Sequence, residues 1–294
     1  MIALWAHVVG SAVFRIVPRR AGYFLADLLG PLVARAWGGQ FAQAAANMRT
    51  VLGPDAPPSE VERRVREVFR NYARYLIDVL CLPNMDRAEL ERTVRVVGWE
   101  HIPNTLARGD GLILISGHIG NWDVPAALLA ARGYPVNAIV ERLEPPAWNE
   151  RVQAIRERSG MRPISMETGA REMFACLRRN EILALVIDRP LCTGGVPVRF
   201  FGRETRVPDG AARLALRTGA SIVVAVGLRR GRRFVTIVDP PIAFEPSGDR
   251  ERDIRAVTQL VVDRLERHIR LHPGQWYMFR DMWPGDRSHG SAQS

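Results

Sequence analysis

From residue 93 onward, short β-branched apolar runs alternate with helix-length segments, and this alternation restricts the chain to an α/β fold built on a mainly parallel central sheet flanked by helices. TVRVVGWE, GLILISG (111–117), PVNAIV, ILALVID (182–188), SIVVAVGL and RFVTIVD read as strands. The second is a β-branched run bounded by glycines, as expected of a strand buried on both faces. VPAALLAARG, WNERVQAIRERSG, AREMFACLRRN and DGAARLALRTGA read as helices, and RPLCTGGVPVRFFG as a loop. RDIRAVTQLVVDRLERHIRLHP predicts a long C-terminal helix that stops before Pro273.

The preceding part of the chain carries a different pattern. Val61, Val65, Val68, Phe69, Tyr72, Tyr75, Leu76 and Val79 fall at helical spacing, and Ser59 with Glu62 predicts a capping box at that helix's start. The chain therefore divides into an N-terminal helical region (1–92), an α/β core (93–285) and a polar tail (286–294). Residues 1–17 are apolar but contain His7 and Arg15, so the run is shorter than the roughly 20 apolar residues of a membrane span. The segment 21–37 is apolar again, broken by Asp27 and Arg35. Both read as helices lying on a membrane, with Trp5, Phe14, Tyr23, Phe24 and Trp37 near its interface.

Charge agrees with an anionic surface. There are 41 basic and 31 acidic residues among 294, a net charge of +10, and every basic residue is Arg. The absence of Lys removes Schiff-base and P-loop chemistry. The arginines are spread along the chain without a helix-turn-helix, zinc-finger or RNA-binding pattern, so no nucleic-acid partner is expected. Three scattered cysteines and six dispersed histidines match neither a disulfide framework nor zinc-ligand spacing, so no metal is expected.

Chemistry concentrates in Ser116-Gly117-His118-Ile119-Gly120-Asn121-Trp122-Asp123, where a buried strand gives way to a helix. Sites in open α/β sheets collect at the carboxyl ends of strands. A histidine oriented by a carboxylate is a general base, because the carboxylate fixes the tautomer and the other ring nitrogen takes a proton. Asp123 has the spacing to reach back to His118, and equally the position of a helix cap. Asp188 closes another buried strand and can share the same pocket.

GHIGNWD resembles the His-x4-Asp motif of the lysophospholipid acyltransferase superfamily, in the branch of lipid A late acyltransferases and phosphatidylinositol mannoside acyltransferases. Further blocks follow in that family's order. They are Glu141-Arg142, Asp188-Arg189-Pro190-Leu191, Val198-Arg199-Phe200-Phe201-Gly202 with Thr205 to Gly210, and His272-Pro273-Gly274-Gln275-Trp276-Tyr277. Two positions depart from it: the second acidic residue after Asp188 is missing, and Gly274 stands where the family often has Glu.

The resemblance implies acyl transfer from acyl-CoA or acyl carrier protein to a lipid hydroxyl at the cytoplasmic face of the membrane, with no further cofactor. His118 would be the base, oriented by Asp123 or Asp188. Backbone N–H groups of the glycine-flanked loop, or an Arg, would face the oxyanion. Glu141, Arg142, Arg156 and Arg206 match substrate-binding positions, Arg156 near the acyl donor and Arg206 toward a phosphate. The acceptor would be a phosphatidylinositol mannoside or a lipid A-like molecule. Two other classes fit the bare residues: a metal-dependent hydrolase using His118, Asp123 and Asp188, and a non-catalytic binder of lipid surfaces.

Overall fold

The computed structural model describes residues 19, 21–24, 26–28, 37–190 and 194–284. Their main sheet has seven strands, ordered β1-β9-β8-β2-β5-β3-β4. These are β1 (Val94–Val97), β2 (Leu112–Ser116), β3 (Val136–Val140), β4 (Met161–Ser165), β5 (Ile182–Val186), β8 (Ser221–Arg230) and β9 (Arg233–Val238). All neighbours run parallel except the β8–β9 hairpin. Leu112, Ile113, Ile115, Ile182, Leu183 and Val224 are wholly buried, as β2, β5 and β8 lie at the centre of a sheet covered on both faces.

Helices of the described residues include α1 (Gly38–Leu52), α2 (Pro58–Cys81), α3 (Arg87–Thr93), α4 (His101–Leu106), α5 (Asp123–Ala131), α6 (Pro146–Arg158), α7 (Ala170–Arg178), α8 (Gly210–Thr218) and α9 (Arg250–Leu271). α9 places Ile254, Val257, Val261, Leu265 and Ile269 on its buried face. Its first turn is capped by the Asp249 carboxylate, which accepts from the N–H groups of Glu251 and Arg252. Met48, Val51, Val65, Val68 and Phe69 of α1 and α2 belong to the same apolar core as the sheet.

Two local expectations are corrected, and one strand is added. The 14-residue loop (189–202) contains a strand, β6 (Val196–Phe200), which pairs antiparallel with β7 (Arg203–Val207) just beyond it, apart from the main sheet. Met161–Ser165, unassigned between two predicted helices, is the edge strand β4. Its Pro163 and its two exposed side chains suit an edge and blur the strand pattern. The Ser59–Glu62 capping box does not form, because the helix begins at Pro58 with no side-chain cap and Ser59 lies within its first turn.

Of the aromatic residues expected at a membrane interface, Phe24 and Trp37 are exposed, as is Leu28. Tyr23 is instead buried, packed with Ala26 against Ile77 and Cys81 of α2. Trp5, Phe14 and the rest of 1–17, with the tail 286–294, lie outside the described residues. No helix among the described residues is long and apolar enough to cross a membrane.

Candidate active site

Strand register brings the first pair together. Ser116 of β2 lies opposite Val186 of β5, so residues two places beyond each strand, His118 and Asp188, emerge at the same height. Asp188 Oδ1 lies 2.6 Å from His118 Nδ1, and its Oδ2 accepts the His118 backbone N–H at 2.8 Å. The Trp276 indole N–H donates to the same Oδ2 at 2.8 Å. Burial alone would raise the Asp188 carboxyl. The charge and hydrogen bond of the imidazole, the indole and the His118 N–H outweigh it and hold the group below its ordinary 3.8. Gly117 makes the approach possible, since a Cβ there would stand 2.9 Å from Asp188 Oδ2.

Asp123 does something else. Its Oδ1 accepts from Arg156 Nε at 2.7 Å, and its Oδ2 accepts from the Tyr75 hydroxyl at 2.8 Å. The helix-capping role falls to Asn121, whose Oδ1 accepts the Val124 N–H at 2.9 Å. The Arg156–Asp123 pair is buried, with the carboxylate only 2% exposed. Burial opposes the Arg156 charge, but Asp123 and Tyr75 overcome it and raise the guanidinium's pKa. Burial, reinforced by Asp123, keeps the Tyr75 phenol well above its usual range and so a donor.

The expected oxyanion donors are partly spent. In the loop after β2, the N–H of His118 goes to Asp188, that of Gly120 to Gln275 O and that of Asn121 to Gly227 O. The last approach is close: a Cβ on Gly227 would meet Asn121 O at 2.2 Å. Arg156 lines the cavity and is a positive group on its wall.

His118 opens onto a cavity of about 420 Å³, within the range of small-molecule sites. Alternate residues of adjacent strands form its floor: Ala138 and Val140 of β3, Ala184 and Val186 of β5, Leu114 and Ser116 of β2. The alanines leave room below α5, whose Ala126 and Leu129 face the same space. Tyr72, Tyr75, Trp122 and Tyr277 form an aromatic wall, with Trp122 edge-on to His118 at 5.2 Å between ring centroids. These aromatics and Trp276 were missed as site residues. The helical spacing of Tyr72 and Tyr75 marks a buried face but not what that face encloses.

Glu141 and Arg189 also line the cavity and pair with each other. Arg142 is not among the lining residues and stands 3.9 Å from Glu144 on the surface. Arg206 is likewise outside the cavity, donating to the carbonyls of Gly194 and Gly195. The structure thus gathers His118, Asp188, Asp123, Arg156 and Glu141 at one site and leaves Arg142 and Arg206 elsewhere. Gly274 has a local reason for its identity: a Cβ there would meet Glu67 Oε2 at 2.4 Å, so a carboxylate from α2 already fills the space.

Behind the loop lies Asp78, wholly buried. It accepts from Asn121 Nδ2 at 3.2 Å, from Arg19 at 3.0 Å, and from Arg229 and Tyr23. Gln275 bonds both the N–H and the carbonyl of Arg229, at 2.8 and 3.1 Å. The Asn121 that caps α5 is therefore itself held by a buried carboxylate.

Comparison with known proteins bears on this arrangement. The model of the family described as bacterial lipid A biosynthesis acyltransferase matches residues 1–284. A phosphatidylinositol mannoside acyltransferase of Mycobacterium tuberculosis is 33% identical over 291 residues, 97% of this chain and 89% of that protein. One of Mycolicibacterium smegmatis is 32% identical over 247 residues, 82% of this chain and 79% of that protein. The crystal structure of the 1-acyl-sn-glycerophosphate (LPA) acyltransferase of Thermotoga maritima aligns over 85% of this chain and 98% of its own, at 16% identity and a TM-score of 0.35.

Proposed function

The chain belongs to the bacterial lipid A biosynthesis acyltransferase family, and from that membership and its site we propose that it moves a fatty acyl chain from acyl-CoA or acyl carrier protein onto a hydroxyl of a phosphatidylinositol mannoside. It is an acyltransferase acting on lipids; donor, acceptor and base are the proposal. The supporting observation is the 2.6 Å contact between His118 Nδ1 and Asp188 at the wall of an apolar cavity.

Asp188 holds the proton on Nδ1 and leaves the Nε2 lone pair for substrate. Nε2 takes the proton as the acceptor oxygen attacks the thioester carbon. The tetrahedral intermediate then collapses, the C–S bond breaks, and the imidazolium returns its proton to the leaving thiolate. No acyl-enzyme forms. The Arg156 cation offsets charge on the carbonyl oxygen. The apolar floor receives the acyl chain. Exposed Phe24, Leu28 and Trp37, with a net charge of +10, support work at an anionic membrane surface on its cytoplasmic side.

A hydrolytic metal site is poorly supported by the donor chemistry. Asp123 is engaged by Arg156 and Tyr75, and Asp188 by His118 and Trp276, so the three groups do not converge.

The test is transfer from palmitoyl-CoA to purified phosphatidylinositol mannoside, read by mass spectrometry with EDTA present. His118→Ala is expected to lower turnover at least about 100-fold, the scale of a lost general base, while its melting temperature is retained. Near-normal turnover in that variant overturns the assignment, and a rate abolished by EDTA favours the hydrolase class.

A further inference from the structure

One carboxylate at the cavity mouth faces two guanidinium groups. Arg189 Nη1 pairs with Glu141 Oε2, and Arg280 Nη2 stands 3.8 Å from the same oxygen. This cluster differs from the other charged pair of the cavity. Asp123 and Arg156 are 2% and 13% exposed and neutralise each other in the interior. Glu141 and Arg189 are 34% and 27% exposed, and Arg280 leaves the group one positive charge in excess. A half-exposed ion pair contributes little, so exchanging its carboxylate for another anion costs little. Two guanidinium groups brought to one carboxylate oxygen provide the paired positive charge that suits a phosphodiester.

We propose that Arg189 and Arg280 form a subsite for the acceptor's phosphodiester, which Glu141 occupies until the lipid arrives. This deepens the function proposed above and rests on it. The shared cavity selects the acceptor rather than the donor as the source of the phosphate. Arg189 and His118 line the same cavity, so an anion held by Arg189 is in the compartment where the base meets the hydroxyl. The headgroup phosphate of a phosphatidylinositol mannoside sits on the inositol that carries the mannose. In acyl-CoA the extended pantetheine arm keeps the phosphates far from the thioester carbon. Glu141 then has the opposite role from the substrate-binding one its position suggested: it competes with substrate.

Opposed charges give opposed signs. With a phosphatidylinositol mannoside as acceptor, Arg189→Gln is expected to raise KM about tenfold and Arg280→Gln about threefold, as charge-assisted contacts of decreasing burial. Glu141→Gln is expected to lower KM about threefold. On a mannosylated diacylglycerol without phosphate, these shifts vanish. Replacing acyl-CoA by an acyl-N-acetylcysteamine thioester, which carries no phosphate, leaves them in place. Shifts that follow the donor's phosphate, that persist on the neutral acceptor, or that share one sign in Glu141→Gln and Arg280→Gln overturn the subsite. Calorimetry with soluble glycerophosphoinositol needs no turnover, so it stands even if the acyl-transfer reading fails. Affinity should rank Glu141→Gln above wild type above Arg280→Gln, and any other order rejects the proposal.

Discussion

The Trp276 indole N–H donates to Asp188 Oδ2 at 2.8 Å, the oxygen that also receives the His118 backbone N–H. The carboxylate is thus fixed from the C-terminal segment before it orients the imidazole. Trp276→Phe keeps the ring and removes the donor. Turnover is expected to fall about tenfold, with a stability loss of about 1–3 kcal/mol from the under-satisfied buried oxygen. Paired kinetics and urea melts check it, with KM for the donor unchanged.

Gly117 sets the distance on the other side of the same carboxylate. In Gly117→Ala the new methyl would stand 2.9 Å from Asp188 Oδ2, so the carboxylate must turn away from the imidazole. The expected result is a loss of turnover on the scale of Asp188→Asn, and little further loss when the two are combined. A double-mutant cycle on kcat measures it.

Asp123→Asn separates a helix cap from a buried ion-pair partner. Were Asp123 a simple cap, Asn would serve as well. Since it neutralises buried Arg156, the substitution should destabilise by about 3–5 kcal/mol, the scale of breaking a buried ion pair. Replacing Arg156 by Met in the same chain should recover much of the loss, which thermal or urea melts will show.

Asp188 also gives a pH signature. Its carboxyl is held below 3.8, so the native state favours the charged form. The stability this contributes is complete above the unfolded value and is lost as pH falls through the lower folded one. The stability difference between wild type and Asp188→Asn should be flat from pH 7 to about 5 and should shrink below about pH 4, in denaturant titrations at each pH.

The parallel sheet and the position of His118 at the end of β2 were legible because buried strands leave continuous β-branched runs and glycines mark their ends. The choice between Asp123 and Asp188 was not. Spacing along the chain favours a partner five residues away, whereas strand register supplies one 70 residues away. The β6–β7 hairpin stayed hidden among glycines and prolines, since a two-stranded element apart from the main sheet leaves little periodicity to read. Arg206 could not be placed from composition, because its distance from the cavity depends on that hairpin.

Asp78 links these distant parts of the chain. Two of its donors, Arg19 and Tyr23, come from the first two dozen residues, and another, Asn121, caps the helix that follows His118. A version of the protein begun at Trp37 would leave a solvent-free carboxylate short of two donors and pass the deficit to the loop it braces. Trimming the front end to gain solubility is therefore expected to loosen the loop that carries His118, however intact the sheet remains.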